Sequence, residues 1–346
     1  MAREKKVIPA LKPLAWLYGL AQVTRNALYD SGIIKQGRSA LKTIVVGNIS
    51  AGGTGKTPHA AWLAGMLSEN YEVAVLSRGY KRKSRGFRWV NVEDHPDMTG
   101  DEPLELKRAF PGIPVAVDGN RLRGLERMAL ELDPPPDYVI LDDGFQHRRL
   151  KPDYSFVLTR YENPFWDDYL LPAGRLREPI SAIRNADALI ITGAPESPLP
   201  EICSRINNLI DEKDIFFSSY NKGKLVAVTE KARRTDPESI DSILCISGIA
   251  GRMTLDENNE KKVAARIDYP DHHRYNKKDI DLITREFRDI PGKRNIIVTT
   301  GKDAVKLTYY PDIKDLPVFR FTREILMEPD QARTLITRIT QDGKKI

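Results

Sequence analysis

The sequence is poor in cysteine and histidine, with two cysteines and five histidines in 346 residues. Cys203 and Cys245 lie far apart and outside any C-x-x-C pair, so neither a disulfide framework nor a cysteine zinc site is predicted. His272 and His273 are adjacent and lack the H-x-x-x-H spacing of a zinc site, so zinc is not expected. This residue usage fits a reducing compartment.

Long apolar runs are also absent. No uninterrupted run approaches the roughly 18 residues of a membrane-spanning helix, and the N-terminus lacks the apolar core and cleavage site of a signal peptide. We therefore expect the chain on the cytoplasmic side. Its length and its 41% hydrophobic content are enough for two domains, each with its own core.

The net charge of +6 comes mainly from two segments. Residues 1–42 carry eight lysines and arginines against two acids, and residues 77–88 carry six basic residues and no acid. A basic surface can attract nucleic acid, but aromatic stacking platforms are not evident between the two patches. No nucleic-acid partner is therefore expected.

Residues 10–29 are predicted to form an amphipathic helix with a broad apolar side. That side comprises Leu14, Leu17, Ala21 and Leu28, widened by Trp16, Leu20, Val23 and Ala27. Gln22, Arg25 and Asn26 form a narrow polar flank. With its flanking lysines, the helix suits an anionic membrane surface or the mouth of a lipid-binding cleft. The alternative is that it packs on the protein's own core.

The centre of the sequence is residues 45–58, VVGNISAGGTGKTP, in which an apolar strand leads into glycines and then a helix start. Backbone N–H groups, the helix N-terminus, a lysine and a threonine hydroxyl make such a turn suitable for a polyphosphate and Mg²⁺. The predicted nucleotide-binding residues of this cradle are Gly52, Gly53, Thr54, Gly55, Lys56 and Thr57.

The cradle departs from the G-x-x-x-x-G-K-[ST] pattern, because Ser50 stands at the outer glycine. It resembles the variant loops of the iron-protein and partition-ATPase group, except that Ala51 replaces the extra lysine of those loops. This difference disfavours a dimeric ATPase switch.

Two acidic pairs are candidates for metal binding or proton transfer. Asp142 and Asp143 follow the apolar strand of residues 137–141, where a carboxylate can reach the Mg²⁺ held by Thr57. Asp101 and Glu102 form an acidic turn before a helix, where one could bind Mg²⁺ and the other could take a proton from an attacking hydroxyl. The alternative for this second pair is helix capping.

The order of strands and helices predicts an α/β protein with a P-loop-type, mainly parallel sheet flanked by helices. A smaller α/β domain is expected to follow and to close over the active site. The predicted division is an N-terminal amphipathic helix at 1–40, a kinase domain at 41–222 and a C-terminal domain at 223–346. In such sheets, ligands bind at the carboxyl ends of the strands, so Arg78, just after the second strand, should lie beside the cradle unless it is simply a solvated loop residue.

Seven motifs together resemble one family over nearly the whole chain: VGNISAGGTGKTP, SRGYKRKSRG, GDEP, LDDGFQHRRL, LPAGRLREP, DHHRY and TGKDAVKL. Their order is similar to that of the tetraacyldisaccharide 4′-kinases, the lipid A 4′-kinases of Gram-negative bacteria. The doubled acid of DDGFQH, combined with the cradle and GDEP, is the most diagnostic part. Gly301 stands where the resemblance leads us to expect an acid.

The resemblance implies transfer of the γ-phosphate of ATP to the 4′-hydroxyl of tetraacyldisaccharide 1-phosphate, with Mg²⁺. It implies Asp101 as base, with His272 as its partner from the other domain and His273 as the second choice. It places Lys56 and Thr57 on phosphate and metal, and Asp142 and Asp143 around the metal. The residues it implies on phosphates of ATP or the acceptor are Arg78, Arg121 and Arg177.

The expected protein is a monomer, attached peripherally to the cytoplasmic face of the bacterial inner membrane, with a lipid disaccharide as substrate. The alternative function is that of a membrane-recruited P-loop ATPase switch. A separate acidic loop suited to deprotonating an alcohol favours the kinase.

Overall fold

The structure, a computed structural model, describes residues 8–197, 201–249 and 251–342. The first seven residues of the predicted basic segment therefore lie outside the described residues. The helices are α1 (Lys12–Asp30), α2 (Lys56–Ser68), α3 (Pro96–Thr99), α4 (Asp101–Ala109), α5 (Arg121–Glu131), α6 (Glu201–Ser204), α7 (Glu230–Arg233), α8 (Glu257–Lys261), α9 (Lys277–Asp289), α10 (Gly301–Leu307), α11 (Pro311–Lys314) and α12 (Pro329–Asp342). The strands are β1 (Lys42–Gly47), β2 (Val73–Ser77), β3 (Arg88–Trp89), β4 (Val115–Val117), β5 (Tyr138–Asp142), β6 (Tyr154–Arg160), β7 (Ala188–Thr192), β8 (Ile215–Tyr220), β9 (Lys224–Ala227), β10 (Ser242–Ser247), β11 (Val263–Asp268), β12 (Asn295–Thr299), β13 (Val318–Thr322) and β14 (Ile325–Met327).

A nine-stranded sheet forms the larger half of the molecule, in the order β14-β8-β7-β6-β1-β5-β2-β4-β3. Its inner pairs are parallel, whereas β14 and β3 pair antiparallel at the edges. Strands such as β5 and β7 are buried along their whole length, as their continuous apolar sequences require when helices cover both faces. The predicted mainly parallel α/β fold is confirmed.

The two faces of this sheet carry separate apolar cores. On one face, Leu63 and Leu67 of α2 pack in a cluster that also contains Leu104 of α4. On the other face, Leu125 and Met128 of α5 pack among residues of β2 and β5. The cores hold the strands in register, so that β1, β2 and β5 end at the same edge of the sheet.

A five-stranded sheet forms the smaller half, in the order β11-β10-β12-β13-β9. All of its pairs are parallel except β13 with β9. Helix α9 packs on it through Ile280 and Ile283, and its N-terminus is fixed by a capping box between Asn276 and Asp279. This half supplies the loop that follows β11 and the helix α10.

The predicted domain division is wrong at its C-terminal end. After β13 the chain returns to the larger sheet, where β14 pairs with β8 and Ile325 lies opposite Tyr220. Leu335 and Ile339 of α12 are buried in the core of that sheet. The reason is that the apolar stripe of α12 finds its partners on the larger sheet, so residues 325–342 do not belong with the rest of 223–346.

Helix α10 packs against α4 and joins the two halves. Val305 of α10 is buried in the same apolar cluster as Leu104. Gly301 lies so close to α4 that a Cβ there would overlap the Glu105 carboxylate. The family resemblance leads us to expect an acid in the loop at the start of α10, where this chain has Gly301. A carboxylate is present at that place, but it comes from α4. Burial raises the pKa of Glu105 to about 7, with nearby Lys302 and Arg320 opposing the rise and Glu102 and Asp303 adding to it.

We expect the E105Q variant to gain stability over wild type as pH rises. Below the ordinary pKa of 4.5, Glu105 is neutral in both the folded and unfolded states. Between that value and about 7, only the unfolded state ionises, so the wild type loses stability that a neutral glutamine keeps. Urea unfolding should show a difference of about 3 kcal/mol at pH 8 that shrinks towards pH 4.5.

The matched control is E126Q, which changes an exposed glutamate on α5. Its free energy of unfolding relative to wild type should not depend on pH. A pH dependence equal to that of E105Q would contradict the assignment to the buried carboxyl group.

Candidate active site

The phosphate cradle joins β1 to α2 at the carboxyl edge of the larger sheet. Gly55 caps the helix with φ of 86°, in the left-handed region, and α2 begins at Lys56. Thr54 is buried: its hydroxyl accepts a hydrogen bond from Asn48 at 2.8 Å, and its carbonyl accepts one from Thr192 at 3.2 Å. The loop is therefore tied to two strands while its glycines 52 and 53 remain exposed.

A buried histidine supports the cradle from below. His59 Nδ1 lies 2.7 Å from the Gly55 carbonyl oxygen, and Nε2 lies 2.9 Å from Ser218 Oγ on β8. Burial lowers the pKa of His59 to about 4, so the ring is neutral at physiological pH. It links the conformation of Gly55 to the strand that leads into the smaller half.

Asp142, the last residue of β5, and Asp143, which follows it, lie beside the cradle. Thr57 Oγ1 donates to Asp142 Oδ2 at 3.1 Å, and Lys56 Nζ lies 3.6 Å from Asp143 Oδ1. Burial, with smaller contributions from Glu102 and Asp143, raises the pKa of Asp142 to about 7. Burial acts in the same sense on Asp143, but Lys56 and Arg177 outweigh it and hold that pKa below its usual range.

This donor set fits Mg²⁺. Asp142 Oδ1 is buried and has no hydrogen-bond partner among the described residues, as expected of an oxygen that needs a cation. Mg²⁺ in nucleotide sites takes one or two protein oxygens, and substrate phosphates and water complete its shell.

Within residues 8–197, 201–249 and 251–342, no group of three or more His, Cys, Asp or Glu side chains could hold a metal alone. Glu102, a predicted ligand, forms an ion pair with Lys302.

The three predicted phosphate-binding arginines differ in their surroundings. Arg177 bonds to Asn48 and lies 3.4 Å from Asp143 Oδ1. Arg121 is buried, and its guanidinium donates hydrogen bonds to the carbonyl oxygens of Asp118 and Asp142. Burial lowers the pKa of Arg121 to about 10. Arg78 is exposed at the end of β2.

The two halves meet at Asp101 and His272. Asp101 is the first residue of α4, and its Oδ2 lies 3.4 Å from Nδ1 of His272, which follows β11 with φ of 59°. The Tyr80 ring packs against the imidazole, with ring centroids 5.3 Å apart. Burial opposes ionisation of Asp101, but His272 and Lys306 outweigh it and lower its pKa.

The structure separates the two histidines. His273 Nε2 lies 3.0 Å from Asp279 Oδ2, at the start of α9, and the ring stacks on Tyr269. Of the pair, the predicted first choice, His272, is the one that contacts Asp101.

A cavity of about 330 Å³ opens at this junction. It is lined by Tyr80, Lys81, His95, Pro96, Asp97, Asp101, His272, His273, Arg274, Tyr275, Lys306 and Tyr310. Aromatic rings beside charged groups suit a phosphorylated sugar. The Asp101 carboxylate belongs to the wall of this cavity, and the adjacent Glu102 is close enough to Asp142 to affect its pKa. Neighbouring residues at the start of α4 therefore lie at the cavity and near the acidic pair beside the cradle.

The sequence interpretation did not assign some residues of the site. Lys306 contacts Asp101, and Lys302 contacts Glu102. Both lysines belong to the TGKDAVKL motif, and their spacing of four residues, which places them on one side of a helix, could have identified them. Arg160 ends β6 and lies beside Gly53. Its position at a strand's carboxyl end could have identified it.

The apolar side of helix α1 does not pack on the protein's core, in contrast to the alternative considered from the sequence. Its polar flank faces the protein: Asn26 and Arg25 donate to Glu178 at 3.0 and 3.2 Å, and Tyr18 donates to the Arg177 carbonyl oxygen at 2.8 Å. Its apolar side is exposed, with Leu14, Trp16, Leu17, Leu20 and Val23 between 49% and 68% accessible. None of the described helices is both long and apolar enough to cross a bilayer.

Comparisons with known proteins agree on one family. The family profile described as tetraacyldisaccharide-1-P 4′-kinase (LpxK) matches residues 7–341. The chain is 37% identical over 326 residues to a tetraacyldisaccharide 4′-kinase of Bacteroides thetaiotaomicron, covering 90% of this chain and 86% of the relative. It is 34% identical to that of Phocaeicola vulgatus, covering 98% and 96%.

A solved structure is similar over the same length. The crystal structure of LpxK from Aquifex aeolicus in complex with ATP has a TM-score of 0.73 and 29% identity, and the match covers 95% of this chain and 98% of the other. The resemblance inferred from the seven motifs is confirmed.

We expect the G55A variant to be destabilised by more than G52A. Both glycines have positive φ, which costs an alanine about 1–2 kcal/mol. A Cβ at Gly55 would also lie 2.5 Å from the Tyr220 hydroxyl, whereas at Gly52 nothing lies within 4 Å. Urea unfolding should therefore give a further loss of about 1 kcal/mol or more for G55A.

The Y220F background tests the cause of that extra loss. Removing the phenol oxygen should raise the free energy of unfolding of G55A by about 1 kcal/mol and leave that of G52A unchanged. Equal responses of the two glycine variants to Y220F would contradict the steric explanation.

Proposed function

Because this chain belongs to the tetraacyldisaccharide 4′-kinase family, we propose that its site transfers the γ-phosphoryl group of ATP to the 4′-hydroxyl of tetraacyldisaccharide 1-phosphate, a step of lipid A biosynthesis. The observation that carries the proposal is the Asp101–His272 contact in a cavity lined by aromatic and charged side chains. An ATPase switch has no use for a base in a cavity of this size.

The donor half of the site binds the nucleotide. Backbone N–H groups of residues 52–57 and the Lys56 ammonium hold the phosphates of ATP, aided by the N-terminus of α2. Thr57 and Asp142 would hold Mg²⁺, with Asp143 fixed beside them by Lys56 and Arg177. Bound Mg²⁺ supplies positive charge to the phosphoryl group as negative charge develops on its oxygens. Glu102 as a further metal ligand stays a prediction.

The acceptor half supplies the base. Asp101 is ionised near neutral pH because His272 and Lys306 outweigh the effect of burial on its pKa, so it can accept a proton from the 4′-hydroxyl. As the hydroxyl oxygen bonds to phosphorus, its proton passes to Asp101, and ADP leaves with the electrons of the broken P–O bond. His272 orients the carboxylate throughout.

Helix α1 gives the enzyme access to a lipid substrate. Its exposed apolar side would enter the headgroup layer while the basic N-terminal segment faces anionic lipids. This mode of attachment places the enzyme peripherally on the cytoplasmic face of the inner membrane, where the acyl chains of the substrate can remain in the bilayer. The monomeric state stays a prediction.

The transfer reaction can be tested with γ-labelled ATP, Mg²⁺ and detergent-dispersed tetraacyldisaccharide 1-phosphate. Wild type should label the lipid. D101A should lower kcat at least about 100-fold, because a general base is lost, while ATP still raises the melting temperature. K56A should lower both transfer and ATP binding, since its ammonium contacts phosphate.

K261A, at an exposed lysine of the smaller half, is the control and should match wild type. An unlabelled lipid with wild type, together with rapid ATP hydrolysis, would favour the ATPase switch. Equal loss of ATP binding in D101A and K56A would make Asp101 a metal or structural residue instead of the base.

Membrane attachment can be tested with the double variant W16E/L20E. Both side chains are more than half exposed, so folding should be retained, but two apolar contacts with the bilayer are lost. Sedimentation with vesicles of phosphatidylglycerol and phosphatidylethanolamine should show affinity reduced at least about tenfold.

L130E is the control, because Leu130 is 82% exposed on α5 and lies outside α1. Its vesicle affinity should stay within about twofold of wild type, the added charge being far from the inserting face. If L130E and W16E/L20E lose affinity equally, general charge and not α1 determines binding.

A further inference from the structure

Lys306 lies at the junction of the two halves and contacts the proposed base. Its side chain is buried on α10, and its ammonium lies 3.5 Å from Asp101 Oδ2 and 3.0 Å from Asp303 Oδ1. It also donates to the His273 carbonyl oxygen at 3.2 Å. A buried ammonium needs such partners, because burial without them is costly.

The anchor of this lysine is rigid. Asp303 is fully buried, and its Oδ2 accepts hydrogen bonds from the Gly248 N–H at 2.8 Å and the Thr300 hydroxyl at 2.7 Å. These bonds leave Oδ1 for Lys306. On another side, the ammonium lies 5.5 Å from the centroid of the Tyr275 ring, a favourable cation–π distance. Lys306 is therefore held in place before any substrate binds.

Lys306 and His272 approach the same oxygen of Asp101. The closest contact of the imidazole is to Oδ2 at 3.4 Å, and that of the ammonium is to Oδ2 at 3.5 Å. Both groups come from the smaller half, whereas Asp101 belongs to α4. Two partners on one oxygen fix the rotation of the carboxylate more firmly than the imidazole alone can.

We propose that Lys306 is a positioning residue for the base: by holding Oδ2 of Asp101 together with His272, it presents Oδ1 to the acceptor hydroxyl. The inference rests on the proposed function. The competing explanation is that Lys306 only neutralises the buried Asp303 and so serves the fold. The two differ in what they predict for kcat and for ATP binding.

Arg108 offers a matched control. It lies on α4, and its guanidinium donates to the Val305 carbonyl oxygen at 3.4 Å and to the Thr308 hydroxyl at 3.3 Å. These contacts join the two halves but do not include the base. The R108M variant therefore removes a comparable polar contact between the halves while leaving the partners of Asp101 in place.

The experiment compares K306M, K306R and R108M in the lipid-labelling assay, with kcat and the KM for ATP measured separately. K306M should lower kcat at least about 30-fold with the KM for ATP within about threefold of wild type. K306R keeps a cation that can reach both carboxylates and should recover at least about a third of kcat. R108M should keep at least about a third of kcat.

If K306M does not fold, K306Q keeps hydrogen-bond donors without the charge, and the same loss of kcat is expected from it. The inference is overturned if K306M or K306Q matches R108M, or if kcat and ATP affinity fall in parallel with thermal stability. Lipid left unlabelled by wild type would overturn the proposed function and this inference together. A labelled lipid with an unaffected K306M would overturn the inference alone.

Discussion

The packing of α10 against α4 is the contact on which the site depends. Asp101 and Glu102 lie on α4, whereas His272, Lys302 and Lys306 come from the smaller half. Without this contact, two carboxylates at the edge of the larger sheet would lose the partners that the smaller half supplies. The apolar part of the interface, with Val305 in the larger core, stabilises the contact by the hydrophobic effect, and the ion pairs determine its register. The contact between α10 and α4 therefore completes the acceptor site.

The local parts of the site could be predicted from the sequence because they follow from chain geometry. A glycine-rich turn between a strand and a helix places backbone N–H groups at the helix N-terminus whatever surrounds it. The carboxyl ends of parallel strands meet at one edge, so the cradle and Asp142 had to converge. The choice of His272 over His273 came from the resemblance and agrees with the contact observed.

Other parts depend on contacts between residues far apart in sequence, which periodicity does not encode. Glu105 occupies the space beside Gly301 although nearly 200 residues separate them, so the absent acid of the loop is replaced in space by an acid from α4. Residues 325–342 return to the larger sheet because an open strand edge and an apolar surface were available there. The same holds for Lys306, whose helix could be predicted but whose partner could not.

The orientation of α1 links its exposed apolar face to the phosphate cradle. Its polar flank binds Glu178 and the Arg177 carbonyl oxygen, and the Arg177 guanidinium binds Asn48 and Asp143 at the cradle. A helix that packed through its apolar side would bury the surface that suits a bilayer and leave these polar groups unpaired. The polar contacts thus account for both the exposed apolar face and its fixed position relative to the nucleotide. Under the proposed function the acyl chains of the acceptor remain in the bilayer, and this fixed geometry would let the hydroxyl reach the γ-phosphate from the membrane side.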